Sequence, residues 1–213
     1  MTSAVARELI QAIPAGVRIC EEAASLSDIH RPGCAGVIWQ RRPLPSFQDW
    51  IDGLDPEQLP KARLILRPDA ISEAVRHVCD TCGTPDGPER DRLIGDISAL
   101  AEVFSDLMQA RFLRLRLDRV TTNACRKFHV DAVRARLVCT YRGMGTQYGT
   151  GHYGQDPDRI FTVPASSPLL LRGTDWPEIP CSGLLHRSPP IEGSGETRLV
   201  LVVDPISDPD EEI

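Results

Sequence analysis

The sequence predicts an α+β fold, with an N-terminal helical layer packed on a C-terminal antiparallel β-core of the sandwich or jelly-roll kind. Three observations carry this. Apolar residues recur with a 3.6-residue period over 91–110, and from residue 111 the period becomes two. No helical pattern then separates the later strand-like runs, which argues against βαβ units and for antiparallel pairing. The expected organisation is a mixed part with helices over 1–110, a β-core over 111–205 and an acidic tail over 206–213, in one compact unit.

GVIWQRR at 36–42 reads as a strand, LPSFQDWIDGL as a short helix and RLILRP at 63–68 as another strand. DAISEAVRHVCDTCG places Ile71, Ala74, Val75 and Val78 on one helical stripe, and Gly83 is a suitable C-terminal stop. GTPDGPER is a loop by its glycine and proline content. In DRLIGDISALAEVFSDLMQA, Leu93, Ile97, Leu100, Phe104, Leu107 and Met108 form an apolar stripe. FLRLRLDRV then alternates Leu115, Leu117 and Arg119 against Arg114, Arg116 and Asp118. VRARLVCTY alternates Val133, Ala135, Leu137, Cys139 and Tyr141 against Arg134, Arg136, Val138 and Thr140. RIFTVP, PLLLRG, SGLLHR and RLVLVVD are further strands, each bounded by Gly, Pro, Ser or Asp. DPISDPDEEI, from Asp204, is expected to fray into solvent.

Hydrophobic residues at 41% and charged residues at 25% are globular proportions, so disorder is a poor fit. No apolar run approaches a membrane span, and MTSAVARELIQAIPAG lacks the basic start and apolar stretch of an export signal. A net charge of −6 argues against general nucleic-acid binding and favours a small-molecule or peptide partner. Seven scattered cysteines are odd in number and unlike a secreted disulfide framework, which points to the reducing cytoplasm.

The chemistry concentrates in CRKFHVDAVRARL. His129 and Asp131 stand at i and i+2, so a strand would turn both to one face, where they could hold a divalent transition metal. Asp131 could instead orient or pair with His129, or simply begin a surface strand. His186, in SGLLHRSPP, follows 57 positions later, room for the strands of a jelly roll to bring it back beside the pair. Two histidines and a carboxylate on one face of an iron leave positions open for oxygen and a substrate. Arg198 follows twelve positions on, after a turn-like SPPIEGSGET. Pointing inward it would need an anion, and its planar fork suits a carboxylate; pointing outward it would be an ordinary surface arginine.

This order of H-x-D, a distant His and a late Arg resembles the iron(II)/2-oxoglutarate dioxygenases. The resemblance implies a double-stranded β-helix with Fe(II) on His129, Asp131 and His186, and with Arg198 gripping the distal carboxylate of 2-oxoglutarate. Tyr141, taken as inward, would flank that carboxylate. ACRKFHVDAVRARLVCTYRGMGTQY and LLHRSPP, with IWQR upstream, also resemble the bacterial domain of unknown function 1826. That family has no settled activity, and some members lie in zinc-responsive gene neighbourhoods. A non-catalytic zinc-handling protein, with Cys125 as an extra soft ligand, is therefore the alternative to an oxygenase. A degenerate β-fold with structural histidines is the third reading.

Cys79 and Cys82 lie at a helix C-terminus, where the dipole opposes a thiolate, and lack a second close Cys/His pair. They are expected to stand apart from the metal site. TYRGMGTQYGTGHYG, which carries His152, reads as a mobile loop near the site mouth.

Overall fold

The computed structural model describes residues 14–152, 154–177 and 183–207. The first thirteen residues, Cys181 and the last six residues of the tail lie outside this range. Among the described residues there are ten strands: β1 (Val17–Cys20), β2 (Gly36–Trp39), β3 (Ala62–Leu66), β4 (Phe112–Val120), β5 (Ala135–Arg142), β6 (Gln147–Thr150), β7 (Phe161–Thr162), β8 (Leu169–Arg172), β9 (Leu184–Arg187) and β10 (Arg198–Ile206). They form a seven-stranded sheet, ordered β1-β2-β8-β5-β10-β4-β3, and a three-stranded sheet, β7-β6-β9. Apart from the parallel β1–β2 pair, every pairing is antiparallel.

Three α-helices, α1 (Pro45–Gly53), α2 (Ile71–Cys82) and α3 (Pro88–Met108), share a core with one face of the large sheet. Leu93, Ile97, Leu100, Phe104 and Met108 of α3 are buried against Leu113, Leu115 and Leu117 of β4 and Leu199, Leu201 and Val203 of β10. Each fully buried leucine contributes about 1.5–3 kcal/mol, so this face fixes the register of both strands. On α2 the buried stripe is Ile71, Val75 and Cys79, with Cys79 in the role expected of Val78. Gly83 ends the helix at φ 67°, a left-handed conformation that favours glycine.

Strands β1, β2 and β3 precede residue 111 yet belong to the large sheet, so the N-terminal part completes the β-core as well as supplying helices. β10 runs on through Ile206, and Asp204 is 1% exposed, so the tail does not begin at Asp204. The glycine-rich run read as a loop contains β6, paired with β9 across Tyr148↔His186. A Cβ on Gly149 would stand 2.4 Å from the Arg159 carbonyl oxygen. That glycine serves close backbone approach rather than mobility.

The second face of the large sheet meets the small sheet through Ile38, Leu169 and Leu171 packed with Tyr148 and Leu184. Its remaining residues are largely polar, including Arg116, Arg136, Thr140, Arg198 and Asp204. The expectation for Tyr141 is corrected here. Tyr141 points to the helices, where its hydroxyl donates to Asp96 Oδ2 at 2.7 Å, with Arg41 forking onto the same carboxylate at 2.5 and 2.9 Å. Alternation alone assigns the apolar half of β5 to the interior, but helices cover that half and leave the polar half inside. Thr140, one residue earlier, faces inward instead.

Tyr141→Phe should destabilise the fold by about 1–3 kcal/mol, the worth of a buried hydrogen bond to a charged group. Denaturant midpoints measure it, and ligand affinity in the interior should be unchanged.

Candidate metal centre

His129 lies between β4 and β5, outside any regular strand. Its backbone pairs with that of His186 on β9, each amide nitrogen donating to the other's carbonyl at 3.0 Å. The Ser188 amide also donates to the Cys125 carbonyl at 3.0 Å, which extends the tie. This short antiparallel bridge sets the imidazoles side by side, with ring centroids 4.5 Å apart. Asp131 then reaches both rings: Oδ1 is 3.4 Å from His129 Nε2, and Oδ2 is 3.0 Å from His186 Nε2. One candidate ligand atom from each residue falls within 4.8 Å of the others, and no other such group occurs among the described residues. A glycine makes room for the loop bearing Asp131. A Cβ at Gly173 would lie 1.8 Å from the Val133 carbonyl oxygen and 2.7 Å from that of Asp131.

The donor chemistry fits a cation. His129 Nδ1 stands 2.8 Å from the Lys127 carbonyl, an acceptor only, so Nδ1 carries the proton and the Nε2 lone pair of the neutral ring faces Asp131. Asp131 Oδ2 is buried and, despite its closeness to His186, makes no hydrogen bond of acceptable geometry. Burial pushes the His186 imidazole below its ordinary pKa, keeping it neutral and able to ligate. The neighbouring Asp131 carboxylate favours the protonated form of His129 and so pulls its pKa upward, against its partial burial. Burial acts to raise the Asp131 carboxyl, but the two histidines and Arg136 outweigh it and hold the group well below the usual carboxylate range.

Arg136, on β5, donates through Nη1 to Asp131 Oδ1. Its Nε and Nη2 grip Asp204 at 2.6 and 2.8 Å. The carboxylate is thereby tethered to the large sheet while the histidines belong to the small-sheet side. The sequence pattern sets Arg136 on the face opposite Tyr141 or in solvent, and assigns Asp204 to the tail. The period-two alternation of β5 does put Arg136 on the face of Thr140, but nothing local reveals its partner 68 residues away.

Arg198, 1% exposed, lines one cavity of about 180 Å³ with Arg116, Arg136, His129, His186 and Val200. Its Nε donates to the Met144 carbonyl at 2.6 Å and its Nη2 to Thr140 Oγ1 at 3.3 Å, while Nη1 is buried without a partner. Burial pushes the guanidinium down to about 10, with Glu196 opposing. A buried cation with an unused donor calls for an anion in the cavity. A wider cleft of about 740 Å³ adjoins the centre past Cys125, His129 and Gly154.

Cys125 is exposed and does not join the His129–Asp131–His186 group, so the geometry lends no support to the zinc reading that used it. Cys79 packs in the helix-side core, and His152 is exposed. No helix among the described residues is long and apolar enough to cross a membrane.

Substituting Asp131 by Ala should abolish stoichiometric binding of a divalent metal with the fold retained. Arg136→Gln keeps all three ligands and should weaken the metal by roughly 10–100-fold, the usual effect of losing a residue that orients a ligand. Changing Cys79 and Cys82 to Ser should leave metal content unchanged. Bound metal should also fall on acidification, because protons compete for His129 and His186. Metal analysis after dialysis at a series of pH values checks each outcome.

The chain belongs to the family described as protein of unknown function (DUF1826), whose model matches residues 20–204. No curated protein matches it by sequence. Among solved structures it is similar to dioxygenase for auxin oxidation 1 from Arabidopsis thaliana, a binary complex with 2-oxoglutarate, with a TM-score of 0.52, 13% identity and coverage of 93% of this chain and 94% of that one. The rice dioxygenase for auxin oxidation is similar with a TM-score of 0.50 at 13% identity, covering 93% of this chain and 84% of that one. At this identity the likeness concerns the fold alone, a mixed α/β arrangement with large β-sheets that this chain shares with those two dioxygenases.

Proposed function

We propose that this protein is an iron(II)- and 2-oxoglutarate-dependent oxygenase. The observation that carries the reading is one cavity lined by His129, His186 and Arg198, with the Asp131 carboxylate beside both imidazoles and Arg198 Nη1 buried without a partner. His129 Nε2, His186 Nε2 and one oxygen of Asp131 would hold the iron, leaving part of its coordination sphere for a chelating co-substrate and oxygen. The far carboxylate of 2-oxoglutarate would meet Arg198, with the Thr140 hydroxyl beside it. Iron and 2-oxoglutarate, when bound, supply the oxidising power drawn from dioxygen, with succinate and carbon dioxide as co-products.

The chain's own residues do the positioning. Arg136 and Asp204 hold the Asp131 carboxylate in place, so the site needs little reorganisation on loading. Val138, Val200 and Val202 form an apolar floor that keeps water from the reacting region. The scattered, odd cysteine set supports placing this chemistry in the reducing cytoplasm. Superfamily relatives at this fold level act on many substrates, so fold similarity alone names no substrate.

Arg198→Ala should weaken 2-oxoglutarate binding by about 2–5 kcal/mol, the cost of leaving a desolvated carboxylate without its charged partner. Metal content should be spared. Calorimetric titration of 2-oxoglutarate into anaerobic, iron-loaded protein measures this, and unchanged affinity would remove the oxygenase reading.

A further inference from the structure

The cavity beside the metal centre occupies one face of the large sheet, and a second cavity, of about 210 Å³, opens on the helix-covered face. It lies where the N-terminal end of α1, the N-terminal half of α3 and the segment leading into β8 meet beside Tyr141 of β5. We propose that this cavity is a second ligand site, separate from the metal centre, that takes a small organic anion with an apolar body. The proposal goes beyond the oxygenase reading and stands without it.

Three observations carry the anion. Ser166, which lines the cavity, is 5% exposed, and its Oγ is buried without a hydrogen-bond partner. Its backbone holds φ 59°, a left-handed conformation that favours glycine, yet a hydroxyl-bearing residue stands there. The backbone is pinned in that state: the Ser166 amide donates to the Thr140 carbonyl at 2.7 Å, and its own carbonyl accepts from Arg41 Nε at 2.7 Å. A buried donor that the protein leaves unused, at a strained residue beside a cavity, is suited to an acceptor on a ligand. Second, Leu44 and Phe47 bring the start of α1 to the same cavity. Leu44, the N-cap, supplies no side-chain cap, and no acid stands in the first turn, so the positive end of this helix is left uncompensated. Third, the lining carries Arg41, Arg42 and Arg92 against one carboxylate, Asp96. Asp96 is already saturated by the Arg41 fork and the Tyr141 hydroxyl. Arg42 makes no ion pair among the described residues, and Arg92 meets only Glu89, at 3.4 Å.

In a chain of net charge −6 this lining is a local reversal of sign that draws anions in. The apolar part of the ligand follows from the opposite wall. Leu44 is 49% exposed, and beside it the Phe47 ring meets Tyr141 edge-on, with centroids 6.3 Å apart. Covering Leu44 would remove apolar surface from water. An apolar cavity of about 150 Å³ holds a benzene ring, so the space here suits an aryl group with a charged head. The head would meet Ser166 Oγ and the guanidinium groups of Arg42 and Arg92, and the body would lie against Leu44 and Phe47.

The test titrates the full chain, at low ionic strength, with benzoate, with phenyl phosphate and with the neutral benzamide. At least one anion should bind at about 1 mM or tighter, and benzamide about tenfold more weakly or worse. The tighter of the two anions identifies the head group. Arg42→Gln combined with Arg92→Gln should weaken that anion by about tenfold or more, the scale of one charged hydrogen bond, and both residues are exposed, so the fold should be kept. Ser166→Gly removes the hydroxyl while suiting the left-handed backbone; it should weaken the anion by roughly three- to tenfold, with melting at or above that of the unmodified chain. Arg198→Gln, on the other face of the sheet, should leave the affinity within about twofold, which separates this site from the cavity of the metal centre. Failure of both anions to bind overturns the proposal, as does benzamide binding as tightly as benzoate. Equal affinity in the arginine double variant and in Ser166→Gly, or loss of the anion in a folded Arg198→Gln, overturns it too. None of these results bears on the oxygenase reading.

Discussion

The pair of reciprocal backbone hydrogen bonds between His129 and His186 is the constraint on which the centre depends. The segment between β4 and β5 is otherwise tied by single backbone hydrogen bonds, including those from Ser188 to Cys125 and from Thr174 to Asp131, so the bridge sets where its histidine sits. Because the bridge is antiparallel, the two imidazoles emerge as neighbours, and Asp131 arrives beside both after two further residues. Arg136 then ties that carboxylate to Asp204 at the far end of β10. The centre is thus clamped between the two sheets. Loosening either clamp displaces ligands without removing one, which is why a residue that touches no metal can govern affinity.

The large sheet is organised with its apolar side outward, beneath α1 to α3, and its polar side inward. This follows from a competition between two faces. Leu113, Leu115, Leu117, Leu137, Leu199 and Leu201 find a full helical partner on one side. Burying the alternate residues there would place Arg114, Arg116, Arg136 and Arg198 in an apolar layer without partners, at a cost far above what the leucines gain elsewhere. The sandwich interior accepts them because Asp131 and Asp204 pair with Arg136 there and other cation donors face a cavity. The charges that make the interior poor as a core make it suitable as a binding site.

Much of this was legible in the sequence. The period of α3, the change to period two and the H-x-D…His…Arg order led to the helices, the strands and the residues that meet at the centre. What the sequence did not show was which half of β5 faces inward. Alternation separates Tyr141 from Thr140 but does not say which side the helices will cover, and the apolar half is the natural but mistaken choice for a barrel interior. Arg136 and Asp204 were missed for a related reason. Their pairing depends on the β5–β10 register, a contact between segments 68 residues apart, and Asp204 adjoins a run of acids that resembles a solvated tail. The small strand β6 was hidden by glycines whose role, close backbone approach, is invisible without its neighbours.

Visible absorption of the anaerobic iron(II) protein during addition of 2-oxoglutarate tests the central claim most directly. Chelation of the metal by the co-substrate's keto-acid end should produce a charge-transfer band that saturates at one equivalent per iron and is absent from Asp131→Ala. Iron bound at full occupancy with no such band would contradict the claim, because it would show a centre that holds metal but presents no open face to the co-substrate.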